Sequence, residues 1–216
     1  MKILKNDAKL VLSVLCFFTL SFAWNWPWQT KESDVNEKII TLPKGTHQVL
    51  SDISNVTWMG QKAVGGSHTG NINIKDSEII IDKNGNIFGS VIIDMNTINC
   101  TDLEGEWKNK LEGHLKSSDF FEVEKHKISK IEFKSTEKVG NKIIFSGDLT
   151  IKEITHPITF NANLIESQNK IVANTSLVFD RSKYDVRYGS GSFFKNLGDN
   201  LILDDINIDV MLAINK

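Results

Sequence analysis

The stretch that decides the fold is FSGDLTIKEITHPITFNANL, residues 145–164. Apolar or small side chains occupy every second position on both sides of a central break, at Phe145, Gly147, Leu149 and Ile151 and then at Ile158, Phe160, Ala162 and Leu164. Alternation with a period of two is typical of β-strands with one buried face. The stretch therefore predicts two strands, and Pro157 stands beside the start of the second one, where proline is tolerated.

The same period recurs on both sides of this stretch. It continues through 173–179 and 206–214, and it precedes the stretch at 68–74 and at 131–133. Asn84-Gly85 is a tight-turn signal that leads into a further strand at 87–96. With one more strand at 49–58, the sequence predicts about eight strands, which is typical of an antiparallel barrel or sandwich.

One segment has helical periodicity instead. Residues 101–104, Thr-Asp-Leu-Glu, have the pattern of a capping box. Apolar side chains then recur every fourth residue at Leu103, Trp107, Leu111 and Leu115. This predicts one helical crossover near residues 102–116 with a single apolar stripe against the sheet.

An eight-stranded barrel is either filled by its side chains or holds one slender ligand. Small residues on the apolar faces could leave a cavity; they are Gly70, Gly89, Gly147, Ala162 and Ala173. The same glycines could instead mark bends and bulges in the strands. The sequence leaves both interpretations open.

The composition excludes several classes of protein. The chain has 216 residues, of which 40% are hydrophobic and 24% charged, as in a soluble globular domain. It carries 25 Lys and Arg against 27 Asp and Glu, so it has no positive field for nucleic-acid binding. Two cysteines are too few for a disulfide framework or a cysteine metal site.

Residues 1–23 have the parts of a secretory signal peptide. Three lysines lie within the first nine residues, an apolar run follows at 10–20, and Ser21 and Ala23 provide small residues for cleavage. A lipoprotein signal at Cys16 and an uncleaved anchor over 10–28 are the alternatives. Export, with a periplasmic location, is the prediction.

Residues 24–45 form a tryptophan-containing segment between the signal and the barrel. We expect Trp24, Trp26 and Trp28 to contact a membrane surface, because indoles are enriched at membrane–water interfaces. A mature N-terminus that is simply packed or free is the alternative.

No motif in the sequence carries recognisable catalytic chemistry. The five histidines form no metal-ligand pair. Gly65-Gly66-Ser67-His68-Thr69 lacks the last glycine of a nucleophile elbow and precedes a strand. We therefore predict no catalytic residue, no metal and no cofactor.

The aromatic and aliphatic residues on the predicted inner faces are the strongest functional lead. In a hollow barrel they would line a tunnel for an apolar molecule, since such sites are mostly hydrophobic. The predicted lining residues are Val56, Trp58, Ile72, Ile93, Phe120, Phe121, Phe133, Phe145, Phe160, Leu177, Phe179 and Ile208.

Several segments in sequence order resemble a known family. They are LKSSDFFEVEK at 115–125, IEFKST at 131–136, GDLTIKEITHPITF at 147–160, FDRSKYDVRYGSGSF at 179–193 and the closing strand 204–212. Together they are similar to the YceI-like family of exported polyprenoid-binding proteins. The resemblance implies a lipocalin-like, eight-stranded antiparallel barrel over residues 46–216 that holds an isoprenoid chain. It also implies a non-catalytic carrier or storage role for a polyprenyl lipid or isoprenoid quinone.

Two features depart from the family pattern. His126 and Lys127 stand where the family has an aromatic residue and a proline, and the Trp24–Trp28 cluster has no counterpart. A lipid-modifying isomerase or cyclase on the same barrel and a filled structural barrel are the alternative functions. The sequence also leaves a homodimer possible.

Overall fold

The computed structural model describes residues 38–216, and within them the chain forms nine β-strands and one α-helix. The elements are β1 (Gly45–His47), β2 (Asn55–Gln61), β3 (Ser67–Ile81), β4 (Ile87–Cys100), α1 (Gly105–Lys116), β5 (Ile128–Val139), β6 (Lys142–Ile151), β7 (Ile154–Ser167), β8 (Lys170–Asp180) and β9 (Asp205–Asn215). The predicted signal peptide and Trp24, Trp26 and Trp28 lie outside the described residues.

Eight of these strands close into an antiparallel barrel. Their order is β3-β2-β9-β8-β7-β6-β5-β4, and β4 pairs back onto β3. The short strand β1 pairs with the end of β3, beyond the segment that pairs with β2. The predicted all-β, eight-stranded antiparallel barrel with one helical crossover is confirmed. Among residues 38–216, no helix is long and apolar enough to cross a bilayer.

The tight turn between β3 and β4 has the predicted chemistry. One carboxylate oxygen of Asp82 accepts the backbone N–H groups of Asn84 and Asn86, at 2.8 and 2.9 Å. Gly85 has a positive φ of 82°, which suits glycine at this position.

The helix begins later than predicted. Its N-cap is Glu104, whose side chain makes no capping hydrogen bond, and the predicted capping box at Thr101 is wrong. The N–H of Thr101 instead donates to Thr69 O at 2.9 Å, which continues the β3–β4 pairing. Trp107 is 71% exposed, which shows that it does not pack on the sheet as predicted. A spacing of four drifts by about 40° per step in a helix, so Trp107 lies about 80° from Leu115.

The predicted strand over 49–58 is also shorter in the structure. A 3-10 turn at Ser51–Ile53 interrupts it, and β2 starts at Asn55. Val49 and Leu50 donate their N–H groups to Ser77 Oγ and Ala213 O, so this segment crosses the barrel end instead of extending a strand.

The end of the barrel that holds this segment is filled. Ile40 is buried there in a core with Ile81 and Ile143. The N–H of Ile40 donates to Asn141 Oδ1 at 2.7 Å, and Lys138 Nζ donates to Ile40 O. The compact unit spans Lys38–Lys216, and the domain boundary at residue 46 stays a prediction.

Candidate functional site

The other half of the barrel, next to α1, is hollow. It contains a cavity of about 450 Å³, within the size range of small-molecule sites. The cavity extends from Phe145 and Phe160 inside the barrel to a mouth at Lys62 and His68. The barrel is therefore not completely filled, in contrast to the alternative of a filled structural barrel.

All twelve residues of the predicted lining stand on the cavity wall: Val56, Trp58, Ile72, Ile93, Phe120, Phe121, Phe133, Phe145, Phe160, Leu177, Phe179 and Ile208. The structure brings them together because strand alternation sends every second side chain inward. In β8, for example, Leu177 faces the cavity, whereas its neighbour Val178 is 52% exposed. Their contact with a ligand stays a prediction.

Three phenylalanines form the floor of the cavity. The rings of Phe133 and Phe145 have centroids 5.0 Å apart and are tilted by 48°. The rings of Phe145 and Phe160 are 5.2 Å apart and nearly parallel, at 14°. Beyond them the filled core begins at Ile143, which is buried. The floor is an apolar, aromatic surface that offers a ligand no hydrogen bond.

The small residues have two different roles. Ala162 and Ala173 line the cavity, as one interpretation of the sequence required. Gly70, Gly89 and Gly147 do not line it; they lie where strands approach closely. A Cβ atom at these glycines would lie 1.9–2.1 Å from a backbone oxygen of the neighbouring strand.

Aromatic side chains from three segments form the roof. His114 of α1 packs edge-on against Tyr188, with ring centroids 4.4 Å apart, and against Phe120 at 5.0 Å. His114 Nε2 also lies 3.4 Å from Asp119 Oδ2. These contacts join α1, the loop that follows it and the segment after β8, and Leu111 completes the apolar surface from the helix.

Arg181 is a buried charge on the cavity wall, with no exposed surface. Its guanidinium donates four hydrogen bonds of 2.9–3.1 Å to backbone carbonyl oxygens, those of Val186, Tyr188, Ile202 and Leu203. It also lies 3.3 Å from Asp204 Oδ1, and its Cζ is 5.6 Å from the ring centroid of Phe120. Arg181 therefore holds the segment that forms one side of the mouth.

A second polar cluster lies beside the mouth at His68. Asp102 accepts hydrogen bonds from the N–H of Thr69 at 2.9 Å and from Cys100 Sγ at 3.2 Å, and its other oxygen lies 2.9 Å from His68 Nδ1. Burial by itself raises the pKa of Asp102, but these hydrogen bonds outweigh it and lower the pKa to about 2.

The thiol of Cys100 is fully buried, and its pKa is raised, first by burial and then by its hydrogen bond to Asp102. The thiolate is the nucleophilic form of cysteine. Because Asp102 stands between the thiol and His68, the imidazole is not placed to deprotonate Cys100.

His126, at the departure from the family pattern, is buried under the turn between β6 and β7. Its Nε2 lies 3.6 Å from Glu122 Oε2 and its Nδ1 lies 3.7 Å from Glu153 Oε1. The ring therefore lies between the loop that leads into β5 and the turn that follows β6.

Sequence reasoning missed several residues of the wall. Val210 and Leu212 belong to a face that alternation had already identified, so the same pattern could have found them. Arg181, Tyr188 and Ile202 lie in an irregular segment without periodicity, and no local pattern predicts where they point.

An antiparallel barrel that is filled at one end and hollow at the other, with a helix at the mouth, is a lipocalin-like barrel with an internal apolar site. The YceI-like domain matches residues 46–214, which is well over half of the chain, and the chain therefore belongs to the YceI-like family. The resemblance noted in the sequence is confirmed.

Curated relatives match over shorter stretches. A UPF0312 protein of Photorhabdus laumondii is 38% identical over 52 residues, which are 24% of this chain and 27% of that protein. Protein YceI of Escherichia coli is 33% identical over 69 residues, 32% of this chain and 36% of that protein. The chain thus matches about a third of the length of these relatives.

Solved structures show the same fold over more of the chain. BcnA of Burkholderia cenocepacia covers 76% of this chain and 98% of its own, with a TM-score of 0.61 and 16% identity. A polyisoprenoid binding domain from Saccharophagus degradans covers 78% and 97%, with a TM-score of 0.58 and 15% identity. A YceI protein of Campylobacter jejuni covers 67% and 84%, with a TM-score of 0.51 and 22% identity.

Proposed function

We propose that this protein binds an isoprenoid lipid, a polyprenyl chain or an isoprenoid quinone, inside its barrel and acts as an exported carrier or store for it. The observation that carries the proposal is the cavity, whose floor of Phe133, Phe145 and Phe160 suits a chain of methyl branches and double bonds. The Saccharophagus degradans domain with the same fold is named for polyisoprenoid binding, which agrees with this ligand class.

The energetics favour exchange over one-way capture. Each CH₂-sized group gains roughly 0.8 kcal/mol on leaving water, but the ligand's alternative is a membrane that is equally apolar. Transfer from bilayer to cavity is therefore nearly neutral overall. A site of this kind suits reversible transfer or storage.

A binding role agrees with the polar groups at the mouth. An enzyme that modifies the lipid needs an acid or base aimed at the ligand with a suitable pKa. In the described part of the wall, Arg181 is engaged by four carbonyl groups and His114 is packed between aromatic rings beside Asp119. We propose that these groups shape and hold the mouth.

We also propose export to the periplasm, with cleavage after Ala23 and contact of Trp24, Trp26 and Trp28 with a membrane surface. Cell fractionation with N-terminal sequencing tests the first part. Replacing the three tryptophans by serine tests the second, since unchanged vesicle association would contradict it.

Mass spectrometry of an organic extract tests the ligand. We expect protein purified without detergent to release a stoichiometric isoprenoid lipid. Leu177→Trp places an indole in the cavity and should lower the lipid content sharply. Val178→Trp is the matched control, because it makes the same change one residue later, on the outer face.

Two outcomes oppose the proposal. An extract without isoprenoid lipid from the folded, unsubstituted protein contradicts the ligand class. Equal lipid contents in Leu177→Trp and Val178→Trp show that the ligand does not occupy the cavity. Circular dichroism establishes that both variants are folded.

A further inference from the structure

Exposed apolar side chains gather around the cavity mouth. Among residues 38–216, five aromatic side chains are exposed, and all except Phe88 lie at the mouth end of the barrel. We define the mouth rim as Val64, Tyr188, Phe193, Phe194 and Leu203, which are 62%, 46%, 41%, 50% and 39% exposed. Isolated exposed apolar residues are common on proteins, but a cluster next to a site indicates an interaction surface.

The two segments that carry the mouth rim form one unit. The loop between β2 and β3 and the segment before β9 are joined by Ala63 N–H to Leu201 O at 2.9 Å and by Leu203 N–H to Gln61 O at 2.8 Å. Both segments also line the cavity, through Lys62 and Ile202. Tyr188 is both exposed and part of the cavity wall, so the apolar surface continues from outside to inside.

The two phenylalanines are held in an outward turn. The N–H groups of Phe193 and Phe194 both donate to Ser190 O, at 3.2 and 3.0 Å. Ser190 is fully buried and donates from its hydroxyl to Asp204 at 2.9 Å. Arg187 stacks over the ring of Phe193, with Cζ 5.1 Å from the centroid. The turn therefore holds both rings in half-exposed positions.

The charges on the same segments have one predominant sign. Residues 62–66 and 187–203 contain Lys62, Arg187 and Lys195 against Asp199, a net charge of +2, whereas the whole chain has −2. Arg187 is paired with Asp185 just before this range, so Lys62 and Lys195 carry the basic excess. Aromatic rings beside basic side chains suit the headgroup region of an anionic bilayer, which attracts cations and accommodates amphipathic rings.

We propose that the mouth rim docks on an anionic lipid bilayer and that apolar ligands pass between bilayer and cavity at this contact. The inference rests on the proposed function, since it concerns how a lipid reaches the cavity. With the rim in the headgroup region, the continuous apolar surface spares the ligand's chain from crossing water. The mouth rim belongs to the barrel domain and shares no residue with the Trp24–Trp28 segment.

Vesicle flotation of the purified protein tests the docking. The vesicles contain phosphatidylethanolamine and phosphatidylglycerol, and the variant is Phe193→Ser/Phe194→Ser. We expect the partition coefficient to fall by about tenfold or more, since two half-exposed rings leave the interface. Phe88→Ser is the control, because Phe88 is an exposed aromatic residue away from the mouth, and it should change binding less than about twofold.

The same comparison in a Trp24→Ser/Trp26→Ser/Trp28→Ser background separates the rim from the N-terminal segment. If the rim variant and Phe88→Ser bind vesicles equally in both backgrounds, the docking proposal is wrong. Extracted lipid is measured in parallel on the unsubstituted protein. If no lipid is extracted, the proposed function is contradicted. If lipid is extracted but the rim variant binds vesicles as well as the unsubstituted protein, only the docking proposal is contradicted.

Discussion

Replacing Arg181 by methionine should strongly destabilise the barrel. The side chain is fully buried and donates four hydrogen bonds to backbone carbonyl groups beside its ion pair with Asp204. Methionine fills a similar volume but leaves those carbonyl oxygens without their donor. The Asp204 carboxylate keeps the hydroxyl donors of Ser190 and Ser192 but loses its cationic partner. Removing one partner of a buried ion pair costs about 3–5 kcal/mol. For a chain of this size that corresponds to a Tm lower by about 6–20 °C.

Urea unfolding followed by circular dichroism measures the change. Lys183→Met is the matched control, because Lys183 lies in the same 3-10 turn with a side chain that is 61% exposed. Its distant pair with Asp180, at 3.9 Å, should contribute less than about 1 kcal/mol. Arg181→Lys should fall between the two, since an ammonium keeps the charge but cannot reach all the carbonyl groups.

The result has a functional counterpart. Arg181 fixes the segment that carries Tyr188 and Ile202, so its loss should also speed the release of the proposed isoprenoid ligand. A free energy of unfolding within about 1 kcal/mol of the unsubstituted protein would refute the reasoning, because the carbonyl groups would then have adequate partners without the guanidinium.

Three other predictions concern the region around the mouth. Gly70→Ala should lower the free energy of unfolding by about 1–3 kcal/mol, because its Cβ would lie 1.9 Å from a backbone oxygen of β4. Gly66→Ala is the control and should leave the stability unchanged, since no atom lies within 4 Å of its Cβ position. Equal stabilities of the two variants would contradict this prediction. In a Cys16→Ser background, the Cys100 thiol should resist a thiol-reactive disulfide reagent until urea unfolds the protein, since it is buried and its pKa is raised; fast modification of the folded protein would contradict its burial. Asp102 has a pKa of about 2 in the fold against 3.8 normally, so its stabilisation is present above about pH 4 and is lost as the pH falls towards 2. Urea titrations at several pH values should show that Asp102→Asn loses less stability between about pH 4 and pH 2 than the unsubstituted protein does. Identical pH profiles of the two proteins would contradict the prediction.

The inner faces of the strands could be predicted because each strand repeats the same simple rule. Residues 206–214 place an apolar side chain at every second position, and the structure pairs Leu177 with Ile208 on the cavity wall. The pairing that closes the barrel could not be predicted in this way. The pairing of β3 with β4 includes two register shifts, and nothing in local alternation specifies them.

The helix and the mouth show where local patterns fail. The spacing of Trp107 and Leu111 suggested one buried stripe, but a four-residue spacing drifts around the helix and leaves Trp107 in solvent. Arg181 follows a strand in a segment with no period at all. Its position is determined by four carbonyl groups that become neighbours only after the chain has folded.

The division of the barrel into a filled and a hollow half depends on what packs inside each end as well as on the inward side chains of the strands. At the filled end, Ile40 and Val49 from the segment before β2 pack against inward residues such as Ile81, Ile143 and Ile214. Towards the mouth the inward residues of β8 and β9, such as Leu177, Phe179 and Ile208, are also large, yet they line the cavity. An eight-stranded barrel is wide enough either to be filled or to hold one ligand. Hydrophobic alternation therefore specifies that an interior exists, whereas the packing of the segment before β2 determines which half is filled.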